Sequence, residues 1–210
     1  MSVRHHPEEE LVLAWSAGSL DPALTLIVAT HLHFCPQCRA RAALGDAVGG
    51  ALLEQAAPAP LAPDALAKTL ARLDAPAPPL QASNDNTPPP LRAFLGRDLS
   101  SVRWRAMGPR LAYVNLYRKG DLALRLLRGS PGSAVGDHSH DGQEYTLVLQ
   151  GGYRDETGAY GPGDFQMASG EVTHDPVADL DGDCINLSVT TGRLRFRSLG
   201  QTLVARLFGF

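Results

Sequence analysis

The sequence lacks the features that mark several large classes of protein. It has three cysteines in 210 residues, too few for a disulfide framework, so metal or redox use of the thiols is favoured. Its best apolar run, residues 23–29, is far shorter than the roughly 18–20 residues that span a bilayer. The first ten residues lack the basic and then apolar order of a signal peptide. We therefore expect a cytoplasmic protein.

Strong positive charge is also missing. The formal net charge is −3, and residues 1–75 hold five Lys or Arg against eight Asp or Glu. Binding to nucleic acid requires a basic stripe that neutralises phosphates. The charge balance therefore argues against DNA binding and suits contact with another protein.

One proline-rich stretch divides the chain. Residues 75–91 contain six prolines and a polar patch without usable periodicity, which predicts an extended, semi-rigid linker. We therefore expect a first domain at 1–75, a linker at 76–91 and a second domain at 92–210, with the linker letting the second domain sit apart.

The first domain is predicted to be helical. Residues 7–18, 22–34, 36–55 and 64–74 have helical patterns, and the second and third segments begin with proline, which suits the first helical position. Three apolar residues of the fourth segment share one face: Leu66, Leu70 and Leu73. This stripe either docks in a groove of a partner protein or packs on its own domain.

The second domain is predicted to be all β. Residues 111–117, 122–127, 145–151 and 193–199 alternate in polarity or are β-branched, and glycine-rich turns separate them. Many short strands with such turns are typical of a β-sandwich or a small barrel.

The first candidate metal site lies in the helical part. His31, Cys35 and Cys38 follow one another at steps of four and three, which places them along one face of a helical path. An imidazole and two thiolates suit Zn²⁺, which takes about four N and S ligands. A redox pair and plain helix residues are the alternatives. His33 points to a different face, and we expect it on the surface.

The fourth ligand is not local, and either His5 or His6 is a candidate. The early histidine followed by H-x3-C-x2-C in a short helical segment resembles the zinc-binding anti-sigma factor domain. That resemblance implies the ligand set His6, His31, Cys35 and Cys38.

A second candidate metal site lies in the β part. His138 and His140 are two residues apart, so on a strand they point to one face. Glu144 follows across a short turn, and His174 comes after a later tight turn. Three imidazoles and a carboxylate form a site for Zn²⁺, Fe²⁺, Mn²⁺ or Ni²⁺.

The spacing of these residues resembles both cupin motifs over residues 92–200. The resemblance implies a double-stranded β-helix, or jelly-roll barrel, with His138, His140, Glu144 and His174 as metal ligands. A cupin that has lost its metal is the alternative. For Cys184 a buried structural cysteine and a redox-sensitive thiol near the pocket are both open.

The order of a helical zinc domain, a proline linker and a cupin resembles the ChrR-type cytoplasmic anti-sigma factors. The match includes "RHH" at 4–6, "VATHL" at 28–32, "DAVGG" at 46–50 and "RDET" at 154–157. The resemblance implies that the first domain binds and inhibits an extracytoplasmic-function sigma factor. It further implies that the cupin senses oxidative stress of the singlet-oxygen or organic-peroxide kind and triggers release.

The competing hypothesis is a cupin metalloenzyme, a dioxygenase or isomerase, in which the helical domain mediates oligomerisation. A roomy polar pocket at the second cluster would favour catalysis, and closure by bulky apolar groups would favour sensing. Self-association through the cupin is open under both hypotheses.

Overall fold

A computed structural model describes residues 3–73, 86–170 and 172–196. Its first part is helical, as predicted. The four helices are α1 Glu9–Ser16, α2 Pro22–Phe34, α3 Pro36–Glu54 and α4 Ala65–Leu73.

Local chemistry explains where these helices begin and end. The Asp21 carboxylate accepts a hydrogen bond from the Ala23 backbone N–H and so caps α2. Cys35 ends α2 and caps α3 through its sulfur, which accepts from the Cys38 N–H. Gly18, after α1, adopts φ 65°, a conformation that glycine takes without steric cost.

The predicted linker is only partly described. Residues 74–85 lie outside the described residues. The expected extended conformation is wrong for residues 89–91, because they begin helix α5, Pro89–Leu95. Prolines fit the first helical turn, where the backbone N–H has no partner, and Leu91 becomes fully buried.

The remainder is an all-β domain, as predicted, entered through a short 3-10 helix at Leu99–Ser101. Its strands are β1 Arg105–Ala106, β2 Leu111–Lys119, β3 Leu122–Gly129, β4 His138–His140, β5 Glu144–Gln150, β6 Tyr153–Asp155, β7 Gly158–Tyr160, β8 Phe165–Ala168, β9 Val177–Ala178, β10 Cys184–Thr190 and β11 Leu194–Phe196. The part of the expected last strand beyond residue 196 lies outside the described residues.

The strands form one large sheet and two small ones. The large sheet has the order β1-β2-β3-β10-β5-β8, and the small sheets are β11-β4 and β7-β6-β9. Isolated bridges between His138 and His174 and between Ala134 and Val177 connect the loops around the small sheets. This antiparallel arrangement is that of the expected cupin barrel.

The helical and β parts share one core. Ile27 of α2, Leu91 of α5, Leu124 of β3 and Leu187 of β10 belong to a single cluster of buried side chains. Helix α2 packs against α5, β3 and β10. The two domains are therefore packed together, in contrast to the separation that the linker led us to expect.

Candidate metal centres

The first cluster is assembled from three segments. His6 comes from the amino-terminal segment, His31 from the end of α2, and Cys35 and Cys38 from the corner where α3 begins. One donor atom from each of these residues lies within 4.8 Å of the others. The His6 Nδ1 is 3.3 Å from the Cys35 sulfur and 3.5 Å from the Cys38 sulfur.

The protonation of His31 is set by its surroundings. Its Nδ1 lies 2.9 Å from the Gly163 carbonyl oxygen, which can only accept, so Nδ1 carries the proton. Burial lowers the pKa of His31 to about 4, which keeps the ring neutral near pH 7. The other nitrogen, Nε2, is buried without a hydrogen-bond partner among the described residues. A buried, unpaired lone pair in this position fits a metal ligand.

Burial also makes a thiol of this cluster less acidic. It raises the pKa of Cys38 to about 12, and the neighbouring Cys35 adds to the rise. Two adjacent buried thiolates are unfavourable unless a cation balances them. The donor set of two sulfurs and two imidazoles therefore fits Zn²⁺.

The structure separates the neighbouring histidines. His6 joins the cluster, whereas His5 packs on the Tyr160 ring at 4.5 Å, and its Nδ1 is 3.6 Å from the Asp164 carboxylate. His33 is exposed, as predicted. Geometry thus selects His6 and His31 from the pairs that the sequence offers.

The second cluster lies inside the β domain. His138, His140, Glu144 and His174 are all buried, and their donor atoms lie within 4.8 Å of one another. The Glu144 Oε2 is 3.2 Å from His140 Nε2 and 3.7 Å from His174 Nε2. Strand β4 presents its two histidines to one side, and the bridge between His138 and His174 brings in the distant fourth residue.

Among the described residues, three side chains of the second cluster have a hydrogen-bond partner outside it: His138, Glu144 and His174. The His138 Nδ1–H donates to the Gly136 carbonyl at 2.7 Å, and the His174 Nδ1–H donates to Asp155 at 2.9 Å. The Ser188 hydroxyl donates to Glu144 at 3.0 Å. Such partners fix the ring tautomer and direct Nε2 toward the cluster.

The charges in this cluster are balanced internally. Burial opposes ionisation of Glu144, but the hydrogen bond from His140 and the nearby imidazoles lower its pKa to about 2. Burial alone would lower the pKa of His174, but Asp155 outweighs it and the pKa is raised. The carboxylates are therefore anionic near pH 7, as metal binding requires.

Asp155 lies within the matching motif at 154–157, and the sequence alone predicts no role for it. Its carboxylate accepts from His174, from Gln166 and from Thr157. These bonds hold the pKa of Asp155 below its usual range, although burial opposes ionisation. The aspartate lies 19 residues from His174 in sequence, so no local spacing connects them.

A cavity of about 280 Å³ borders the second cluster. His138, Glu144 and His174 line it, and most of its wall is apolar: Met107, Leu111, Leu127, Val135, Leu194 and Phe196. Cys184 also lines it, and burial raises the pKa of this thiol to about 12. The thiol is therefore protonated near pH 7, which favours a structural cysteine over a reactive one.

The leucine stripe of α4 is exposed. Leu66, Leu70 and Leu73 are 71%, 52% and 76% accessible. Helix α3 has an exposed stripe of its own, with Leu44, Val48 and Leu52 more than half exposed at steps of four. Sequence reasoning missed this second stripe, although its spacing is the signal of one helix face.

Comparison with known proteins places these features in a family. A model of the ChrR cupin-like domain matches residues 95–194. The anti-sigma-E factor ChrR of Cereibacter sphaeroides is 45% identical over 212 residues, which cover 99% of each chain.

One solved structure gives the same result. The crystal structure of Rhodobacter sphaeroides SigE in complex with the anti-sigma ChrR matches with a TM-score of 0.78 and 45% identity, covering 90% of this chain and 100% of that one. An RmlC-like cupin from Ralstonia eutropha is less similar, with a TM-score of 0.42 and 17% identity over 49% of this chain and 71% of that one.

In the part of the chain that the structure describes, we find no helix with the length and apolar character needed to cross a membrane. The match with 45% identity covers 99% of the chain and therefore spans both domains. The chain therefore belongs to the ChrR family of anti-sigma factors.

Proposed function

We propose that this protein binds an extracytoplasmic-function sigma factor through its amino-terminal helical domain and thereby inhibits it. The observation that carries the proposal is the relationship to ChrR along 99% of the chain, together with the matching structure of ChrR in complex with SigE. We place the inhibitory domain at residues 1–75 and the cupin at 92–210, in the cytoplasm, and the connection at 76–91 runs into helix α5.

The exposed leucines support this assignment. In the part of the chain that the structure describes, the three side chains of the stripe are each more than half exposed: Leu66, Leu70 and Leu73. An amphipathic helix with an unpartnered apolar face suits docking in a groove of a partner protein. We infer that α3 and α4 together form the surface that contacts the sigma factor.

Two metal ions complete the proposal. The sulfur-rich cluster of His6, His31, Cys35 and Cys38 suits Zn²⁺, which supplies folding free energy to a small domain. The buried cluster of His138, His140, Glu144 and His174 suits Zn²⁺ or another divalent transition metal. We propose that the cupin centre senses an oxidative stimulus of the singlet-oxygen or organic-peroxide kind and licenses release of the sigma factor.

The cavity bears on the alternative of a metalloenzyme. Its walls are mainly apolar, so it is not the roomy polar pocket expected of a catalytic site. It is also open, so it is not the closed apolar site expected of a sensor. Apolar walls beside a metal-binding cluster suit a small apolar ligand. Membership of an anti-sigma factor family favours regulation.

Co-expression with an extracytoplasmic-function sigma factor from the same genome tests the proposal. The tagged wild-type chain is expected to retain the sigma factor, while the Cys35→Ser variant is expected to lose it. Cys184→Ser is the matched control, because this cysteine is buried in the cupin, away from the first cluster. Equal retention by wild type and Cys35→Ser would refute a role for the first cluster in partner binding.

A further inference from the structure

One turn of the cupin contacts the amino-terminal metal cluster. The Gly163 carbonyl, between β7 and β8, accepts the Nδ1–H of His31 at 2.9 Å. The next residue, Asp164, accepts the backbone N–H groups of Arg4 at 2.7 Å and His5 at 2.9 Å. The cupin therefore holds one member of the cluster directly and also holds the chain that leads into His6.

The contact continues into strand β8. The Phe165 N–H donates to the His5 carbonyl at 3.1 Å, and the Phe165 ring lies 5.6 Å from the His31 ring. Asp164 is itself fixed by the Gly161 N–H at 2.9 Å. Although burial opposes it, these backbone hydrogen bonds lower the pKa of Asp164, so the turn presents an anion to the amino-terminal segment.

The fit at this turn leaves no spare room. Gly163 has φ 89°, and a Cβ there would lie 2.7 Å from the Phe34 Cβ and 2.8 Å from a Val3 methyl. Contacts this short do not occur between real side chains, so the helical domain and the turn are closely seated. A shift of the turn would therefore displace α2 and the segment before His6.

The same segment reaches the cupin cluster. Gln166, three residues after Gly163, donates to Asp155 at 2.7 Å. Asp155 accepts the Nδ1–H of His174 at 2.9 Å. Residues 163–166 thus contact one cluster through His31 and, through Asp155, the other.

We propose that residues 163–166 are a shared outer shell of both metal centres, so that an empty cupin centre weakens metal binding at the amino-terminal centre. The proposal rests on the proposed binding of metal at both clusters. Outer-shell partners orient ligands and change metal affinity by about 10–100-fold when they are removed. Coupling between two sites through a common element is reciprocal and amounts to about 5–150-fold.

The two centres can be read separately with Co²⁺ as the probe. Only the amino-terminal cluster contains thiolates, so a thiolate-to-cobalt charge-transfer band reports that centre alone, and a Cys184→Ser background removes the remaining thiol. Competition with a chelator then gives the affinity of the full-length chain at this centre. Absence of the band in the wild type would refute the proposed metal site itself, which is a different result from absence of coupling.

The first arm changes the turn. Asp164→Ala is expected to lower the Co²⁺ affinity at the amino-terminal centre by about 10-fold or more, and Asp164→Asn, which retains one acceptor oxygen, by less. Asp183→Asn is the control, because Asp183 pairs with Arg128 elsewhere on the cupin. Circular dichroism establishes that each variant is folded, and the milder Asn variant remains informative if the Ala variant is not.

A steric variant complements the electrostatic one. Gly163→Ala is expected to weaken the same centre by forcing the turn away from Phe34 and Val3. Gly120→Ala is its control, because Gly120 has φ 59° and open space around its Cβ position. The control therefore carries the backbone strain without the clash.

The second arm empties the cupin centre with His140→Ala, which leaves residues 163–166 unchanged. We expect the Co²⁺ affinity at the amino-terminal centre to fall by about 5-fold or more. An unchanged affinity in the folded Asp164 variants, or in His140→Ala, would overturn the shared outer shell while leaving both metal sites in place.

Discussion

The two candidate metal-binding clusters differ in which domain supplies the hydrogen-bond partners of their side chains. In the cupin cluster, the outer partners Gly136, Asp155 and Ser188 belong to the same domain as the ligands. In the amino-terminal cluster, the partners of His31 and of the segment before His6 are Gly163 and Asp164, which belong to the cupin.

This asymmetry shows where the cupin contacts the amino-terminal cluster. The cupin centre is held by its own β framework, whereas the amino-terminal centre rests partly on a turn of the other domain. A change inside the cupin therefore has a structural route to the helices that carry the exposed leucines. The packed core between α2, β3 and β10 also couples the domains, because they cannot move independently without exposing apolar surface.

The largest difference in sigma-factor binding is expected between variants that remove a ligand of one cluster and those that remove a ligand of the other. Cys38→Ser should abolish sigma-factor binding, with a loss of more than about 100-fold, because the metal proposed at this cluster would supply folding free energy to a small domain. Glu144→Gln should retain sigma-factor binding when metal is in excess, because the coupling proposed above lowers the affinity of the amino-terminal centre only about 5-fold or more, and it should lose the response to oxidative stimulus. Titration calorimetry with the sigma factor and metal analysis check both variants. The reverse pattern would place inhibition in the cupin.

A substitution in the exposed leucine stripe of α4 separates partner binding from metal binding. Leu70→Asp should weaken sigma-factor binding by about 30-fold or more, as for a central interface residue, while the metal content stays at the wild-type level. Leu180→Asp is the control, since Leu180 is 84% exposed on the cupin. Equal affinities of the two variants would remove α4 from the interface.

A smaller effect, on metal affinity and not on partner binding, is expected at the cupin cluster, whose hydrogen-bond partners lie in its own domain. Asp155→Asn should lower metal affinity at the cupin cluster by about 10–100-fold, because the charged acceptor for His174 Nδ1–H is lost. Competition with a chelator on the purified full-length chain measures this change, and Asp183→Asn provides the comparison. Wild-type affinity in Asp155→Asn would show that the framework alone orients His174.

The smallest effect is expected at a neighbour of the first cluster. His33→Ala should change neither the metal content nor sigma-factor binding, and stability should move by less than about 0.5 kcal/mol, as for an exposed position. Thermal unfolding and metal analysis test this against His31→Ala, which should lose the amino-terminal metal. A loss of metal in His33→Ala would show that the cluster uses the other face of α2.

Much of the local architecture could be predicted from sequence. The boundaries of α2 and α3 follow from Asp21, Pro22 and Pro36, whose effects act within a few residues. The grouping of His31, Cys35 and Cys38 follows from helical spacing, and that of His138 with His140 from strand alternation. These signals are short-range, so a single sequence contains them.

Other features required the fold. Residues 89–91 form a helix instead of extended linker because Leu91 finds a buried position against the rest of the core. The choice of His6 over His5 depends on which ring reaches the cluster and which packs on Tyr160. Neither outcome is encoded in spacing, because both depend on surfaces contributed by distant segments.

By itself, the sequence determined two domain types, two sets of metal-binding residues and a resemblance to one family of regulators. Only the tertiary structure decided that the two domains share a core and that residues 163–166 contact one cluster through His31 and reach the other through Asp155. The physical reason is the separation along the chain over which each interaction acts. Propensity, capping and ligand spacing act over a few residues, whereas the hydrogen bond from His31 to Gly163 joins groups 132 residues apart, and only the packed chain brings them together.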